Sequence, residues 1–101
     1  MVIRIVCFNF KKEASGGEMK AHMDDFASLA KKIPQIKKYS GGRALSGEHG
    51  AAPEYACLHY MLFDSMEDVD VYFEHPEHKK FIERNRNKWE SKVFVLNAKL
   101  D

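Results

Sequence analysis

The chain predicts an α+β fold: a four-stranded antiparallel sheet with helices on one face, in the order β-α-β-β-α-β. Three observations carry this. Runs at Val2–Phe10 (VIRIVCFNF), Glu54–Phe63 (EYACLHYMLF) and Lys92–Leu100 (KVFVLNAKL) are rich in β-branched and aromatic residues, the composition of strands. Ser15-x-x-Glu18 and Ser65-x-x-Asp68 have capping-box spacing and each opens an apolar stripe of helical period. Pro76 then breaks the second helical region, because proline clashes inside a helix but fits its first turn.

The first strand is apolar on both faces, with Arg4, Val6, Phe8 and Phe10 on one and Ile3, Ile5, Cys7 and Asn9 on the other. After a polar turn, the first helix runs to about Lys32 and ends before Pro34. Its stripe is Met19, His22, Met23, Phe26, Leu29, Ala30 and Ile33, and His22 borders it as a partly buried edge residue. Ile36–Leu45 is a weaker, polar edge strand, in which Gly41-Gly42 suggests a bulge or bend. The small, polar loop Ser46–Pro53 contains an exposed His49 and has the composition of a lid.

In the third strand Tyr55, Cys57, His59, Met61 and Phe63 share one face, and Ala56, Leu58, Tyr60 and Leu62 the other. His59 among apolar neighbours needs a partner. It is either a satisfied core histidine or part of a pocket wall. The next helix buries Met66, Val69, Tyr72 and Phe73. Beyond Pro76 a further helix carries His78, Phe81, Ile82, Asn85 and Trp89 on its apolar stripe.

At 101 residues, 45% of them apolar, residues 1–101 are expected to form a single domain. The net charge is +1 without a basic block, so no nucleic-acid partner is expected. No apolar run approaches the ~20 residues of a membrane span, and no signal-peptide pattern is present, so the expectation is a cytoplasmic protein with no membrane partner. Cys7 and Cys57 lie in strands and read as reduced, small apolar side chains.

The element order matches the ferredoxin-like split β-α-β arrangement. Helices on one side leave the other apolar sheet face in water, so a homodimer through the open face of the sheet is expected, closing a dimeric α/β barrel.

The corner at Pro76 holds the residues with the most chemistry. The break frees Tyr72 and His78 to face one pocket. An imidazole at a helix start is biased toward the neutral form by the helix dipole, which suits a general base. A metal is not expected: His75 and His78 stand at i, i+3, but Pro76 turns the chain between them.

With Phe10-Lys11, Lys32-Ile33-Pro34-Gln35-Ile36, Phe63-Asp64-Ser65 and above all Tyr72-x-x-His75-Pro76-x-His78-x-x-Phe81, nearly the whole chain resembles the stress-responsive A/B barrel (Dabb) family. The resemblance implies a homodimer with a pocket between helices and sheet in each subunit, and most such proteins have no assigned reaction. Similarity to a polyketide cyclase of the family implies Tyr72 and His78 as catalytic residues and Phe81, Trp89, Met23 and Phe26 as pocket wall. His75 and Pro76 form the helix corner. Arg4, His59 and Met61 replace that cyclase's residues and make the expected pocket more polar and cationic. Two functions follow as expectations. One is a binding or stress-related domain for a small apolar or polyketide-like ligand. The other is a cofactor-independent cyclase or lyase of aldol type, with His78 as base and Tyr72 as oxyanion donor. A quinol or haem-degrading oxygenase on the same barrel is a third and lesser reading. No cofactor is expected.

Overall fold

A computed structural model describes residues 1–45 and 54–101. The expected lid, Ser46–Pro53 with His49, lies outside the described residues. Four strands, β1 (Val2–Phe8), β2 (Lys38–Arg43), β3 (Cys57–Phe63) and β4 (Phe94–Lys99), form one sheet in the order β2-β3-β1-β4. Every neighbouring pair is antiparallel. Helices α1 (Gly16–Lys32), α2 (Met66–Glu74) and α3 (Pro76–Asn85), with a 3-10 turn at Arg86–Lys88, pack on one face.

The register decides which side chains meet. Residues opposite each other on antiparallel strands point to the same face. Val6 pairs with His59, and His59 with Gly41. Arg4 pairs with Met61, and Met61 with Tyr39. These rows face the helices, where Val6, Phe8, Phe26, Leu29, Ile33, Met61, Phe63, Val69, Tyr72 and Phe81 build the core.

The opposite face is open. Leu58, Phe94 and Leu96 are exposed on it, with Ile3, Ile5, Tyr60 and Leu62 half-buried. A single chain therefore forms a sheet and not a closed barrel, and among the described residues nothing covers the second apolar face of β1 and β3.

The local signals act as their chemistry requires. Ser15 Oγ accepts from the Glu18 N–H at 3.1 Å, and Glu18 Oε1 accepts from the Ser15 N–H at 3.1 Å, a complete capping box. At Ser65 only half forms: Oγ accepts from the Asp68 N–H at 3.2 Å, and the aspartate, one methylene shorter than glutamate, makes no return bond. Asp25 ties α1 to α3 by a bidentate pair with Arg84 (2.8 and 3.0 Å) and by accepting from Asn85 Nδ2 at 2.8 Å.

Several expectations are corrected. Met66 and Phe73 are not buried: they are 45% and 51% exposed, because nine-residue α2 presents only a narrow Val69–Tyr72 stripe to the core. Gly41-Gly42 forms neither bulge nor bend, since β2 pairs with β3 in continuous register. Gly41 is needed for space: a Cβ there would collide with the Tyr39 ring and stand 3.3 Å from His59 Nδ1. His22 is not an edge residue but is fully buried. The helical stripe stops at Asn85, and Trp89 follows the 3-10 turn, where its backbone bridges to Phe10.

Candidate functional site

The α2–α3 corner creates the first site. Helix α2 ends at Glu74, and Pro76 is the first residue of α3. His75, between them, is extended. Its N–H donates to the Tyr72 carbonyl, and its Nδ1 accepts from the Glu77 N–H at 3.1 Å, capping α3 with an imidazole. Ending α2 leaves the Phe73 carbonyl without a helical partner. His78, on the first turn of α3, supplies one: its Nδ1 lies 3.0 Å from that oxygen. A carbonyl can only accept, so the proton of neutral His78 is on Nδ1 and Nε2 carries a lone pair. Burial lowers the His78 pKa, assisted by Arg4 and partly opposed by the Phe73 carbonyl and Glu74.

Tyr72 packs against His78, with ring centroids 4.5 Å apart. Burial raises the phenol to about 12, against the pull of Arg4, whose guanidinium carbon lies 5.8 Å from the Tyr72 ring centroid. The hydroxyl therefore stays protonated and is a donor at neutral pH. Arg4 in turn donates from Nη1 to Asn97 Oδ1 at 3.1 Å, which fixes its head beside β4.

These groups line a cavity of about 150 Å³ between helices and sheet. Of the residues expected at the pocket, Arg4, Phe26, Tyr72, His78, Phe81 and Trp89 all border it, joined by Phe73, Ile82 and Val93. Met23, His59 and Met61 do not. Met61 is buried in the core beneath, and Met23 packs against that core. The wall is mostly apolar, with the imidazole, phenol and guanidinium as its polar groups. The arrangement offers a base, a hydrogen-bond donor and a cation to a small ligand.

His59 belongs to a second cluster with His22, Cys57 and Tyr39, which adjoins the cavity through Phe26 and Trp89. His59 and His22 approach Nε2 to Nε2 at 2.9 Å. Trp89 Nε1–H donates to His22 Nδ1 at 3.0 Å, and Tyr39 Oη lies 2.8 Å from His59 Nδ1. Indole N–H is only a donor, so the direction of the whole chain follows. His22 must carry its proton on Nε2 and give it to His59 Nε2, and His59 must carry its own on Nδ1 and give it to Tyr39. Cys57 Sγ stands 3.9 Å from both Nε2 atoms. Burial lowers His22 to about 4 and His59 to about 3, so both are neutral at pH 7. The rings are packed tightly, with Phe26 stacked on His59 at 3.7 Å between centroids.

The sequence reading missed His22, Cys57 and Tyr39 as partners of His59. One signal was present: Cys57-x-His59 on a strand puts both side chains on one face.

Known structures share this architecture. An Arabidopsis thaliana protein is 25% identical, aligns over 100% of this chain and 96% of its own, and superposes with a TM-score of 0.88. A hydroxynitrile lyase from Passiflora edulis is 22% identical, covering 99% of this chain and 93% of its own, with a TM-score of 0.87. A dimeric ferredoxin-like protein of unknown function from Thermobifida fusca is 17% identical, covering 98% and 90%, with a TM-score of 0.82. No curated protein matches the chain. The profile of the stress responsive A/B barrel domain, Dabb, matches residues 2–98, and the chain belongs to that family.

Proposed function

We propose that this Dabb domain takes a small carbonyl ligand into the cavity beside Tyr72 and His78 and moves a proton on it without a cofactor. One observation carries the reading. The bond from His78 Nδ1 to the Phe73 carbonyl leaves Nε2 as an unprotonated base on a residue that lines the cavity. His78 removes a proton from carbon next to the ligand's carbonyl. The Tyr72 hydroxyl donates to the oxygen as negative charge develops there, and Arg4 adds a positive field. This is the chemistry of a lyase or aldol-type cyclase. The hydroxynitrile lyase neighbour shares the fold at 22% identity and supports the scaffold only.

The volume limits the ligand. About 150 Å³ holds roughly five waters at ~30 Å³ each, which suits a ligand much smaller than an extended polyketide. The same small, apolar space favours a second reading, a domain that binds a small molecule and does no chemistry.

The unit is a homodimer through the open sheet face, supported by the exposed Leu58, Phe94 and Leu96 and by neighbours described as dimeric.

Deuterium exchange into small ketones and oxo acids, followed by NMR, tests the chemistry. The native chain accelerates exchange of at least one such compound, and His78→Gln removes about 10²–10⁴-fold of that rate. Equal rates in native and His78→Gln protein overturn the base. Binding without exchange across the panel establishes the second reading.

A further inference from the structure

We propose that His22, Cys57 and His59 form a buried site for one soft monovalent metal ion, Cu(I). The ligand atoms, two Nε2 and one Sγ, lie within 4.8 Å of one another, and all three residues are buried. A trigonal ion with ordinary bond lengths of ~2.0 Å to nitrogen and ~2.3 Å to sulfur needs about 3.5 Å between nitrogens and about 3.7 Å from nitrogen to sulfur. The separations here are 2.9 Å between nitrogens and 3.9 Å from each nitrogen to sulfur. Only the nitrogen pair must open, as expected when the hydrogen bond between them is replaced by an ion.

Charge and softness select the ion. Cys57 is a soft ligand, and soft thiolate favours Cu(I) and Zn(II) over hard cations, which leaves charge to choose between them. Its thiol is held protonated by burial, with a pKa pushed up to about 11, so binding displaces one proton. One thiolate and one monovalent cation leave no net charge in a core walled by Phe8, Phe26 and Phe81. A divalent ion leaves an uncompensated positive charge there. Cys57 also borders a surface depression with Cys7, Tyr55 and Leu58.

The surrounding hydrogen bonds act in opposite directions on the two histidines. His59 already carries its proton on Nδ1, given to Tyr39, so its Nε2 is ready to ligate. His22 is in the other tautomer, because Trp89 donates to its Nδ1. Ligation through Nε2 moves that proton to Nδ1 and places two N–H groups face to face. Trp89 is thus a brake on binding, and removing its N–H should tighten the site while leaving every ligand in place.

The full chain carrying Cys7→Ser, titrated anaerobically with Cu(I) against bicinchoninate, tests this. The expected result is one Cu(I) per chain, with one sulfur and two nitrogen neighbours in X-ray absorption. Cys57→Ser and His59→Gln should each weaken binding at least 100-fold, while Trp89→Phe tightens it about threefold to tenfold, the worth of one opposing hydrogen bond. Because Trp89→Phe retains all three ligands, its gain keeps the test decisive if a ligand variant misfolds. The proposal is overturned by loss of binding on Cys7→Ser, by affinity indifferent to Cys57→Ser, by weaker binding in Trp89→Phe, or by Zn(II) outcompeting Cu(I).

Discussion

Two histidine arrangements share the same helix-to-sheet core, with Phe26, Phe81 and Trp89 bordering both, and they differ in what is left unbonded. At the corner, His78 spends one nitrogen on the Phe73 carbonyl and keeps the other free on a cavity-lining ring. In the core, His22 and His59 spend all four ring nitrogens on Trp89, Tyr39 and each other. Both settings hold imidazole neutral by burial. Neutrality alone therefore does not mark a reactive histidine. The spare lone pair does, because a base needs an orbital that the fold has not already used.

Exchanging the injuries is the strongest way to break that contrast. His78→Gln should remove about 10²–10⁴-fold of any proton-transfer rate and shift the urea midpoint little. His59→Ala should do the reverse to the fold. It empties a stacked core position and strands Tyr39 and His22, costing about 3–5 kcal/mol in chemical denaturation. If His59→Ala unfolds no more easily than His78→Gln, the two sites are not different in kind.

Acid sharpens the comparison at the next scale. The folded pKa values of His22 and His59, about 4 and about 3, lie below the unfolded value of 6.5. Between those limits the unfolded chain binds protons that the folded chain refuses. Their contribution is thus complete above pH 6.5 and is lost as the pH falls toward 4 and then 3. The slope is at most about 1.4 kcal/mol per pH unit per histidine. His78 has the same sign. Denaturation series at pH 7, 5.5 and 4.5 should show monotonic loss, and a flat profile would refute neutral burial of the pair. The acid limb of the exchange rate should likewise fall below pH 6.5.

The smallest effect belongs to neither site. Arg84→Ala removes a half-exposed pair with Asp25 and should cost about 0.5–1 kcal/mol. Against burial, Arg84 and Asn85 hold the Asp25 carboxyl below its ordinary value, so the deficit of Arg84→Ala should shrink as the pH falls through the carboxylate range, which a denaturation series can check.

Much of the corner was legible because each step is local. Proline at a helix start, an extended residue before it and an imidazole two residues after it lie within one heptad of sequence. The cluster was not legible, although strand alternation placed Cys57 and His59 on one face. Its other members come from α1, β2 and the segment after the 3-10 turn. No spacing rule sets the rotation of α1 that aims His22 at His59, or the strand order that puts Tyr39 beside it. Gly41 shows the same limit. A bend and a vacancy have identical sequence signatures, and only the neighbour across the strand, Tyr39 folding its ring over the glycine, distinguishes them. Helix burial failed at Met66 and Phe73 because stripe width depends on how closely α2 approaches the sheet.

The break at Pro76 has a consequence for engineering. A helix that stops early leaves a carbonyl facing outward, and an imidazole five residues later can use it as a fixed acceptor. Interruption of regular structure thereby chooses which end of the ring is basic, with no carboxylate to hold it. A designer wanting a neutral base of defined orientation in an uncharged cavity could transplant the eight-residue segment from Glu74 to Phe81 together with the preceding Phe73 carbonyl. Replacing Pro76 with alanine, and so inviting a continuous helix, would return that carbonyl to the backbone ladder and let the ring choose its tautomer for itself.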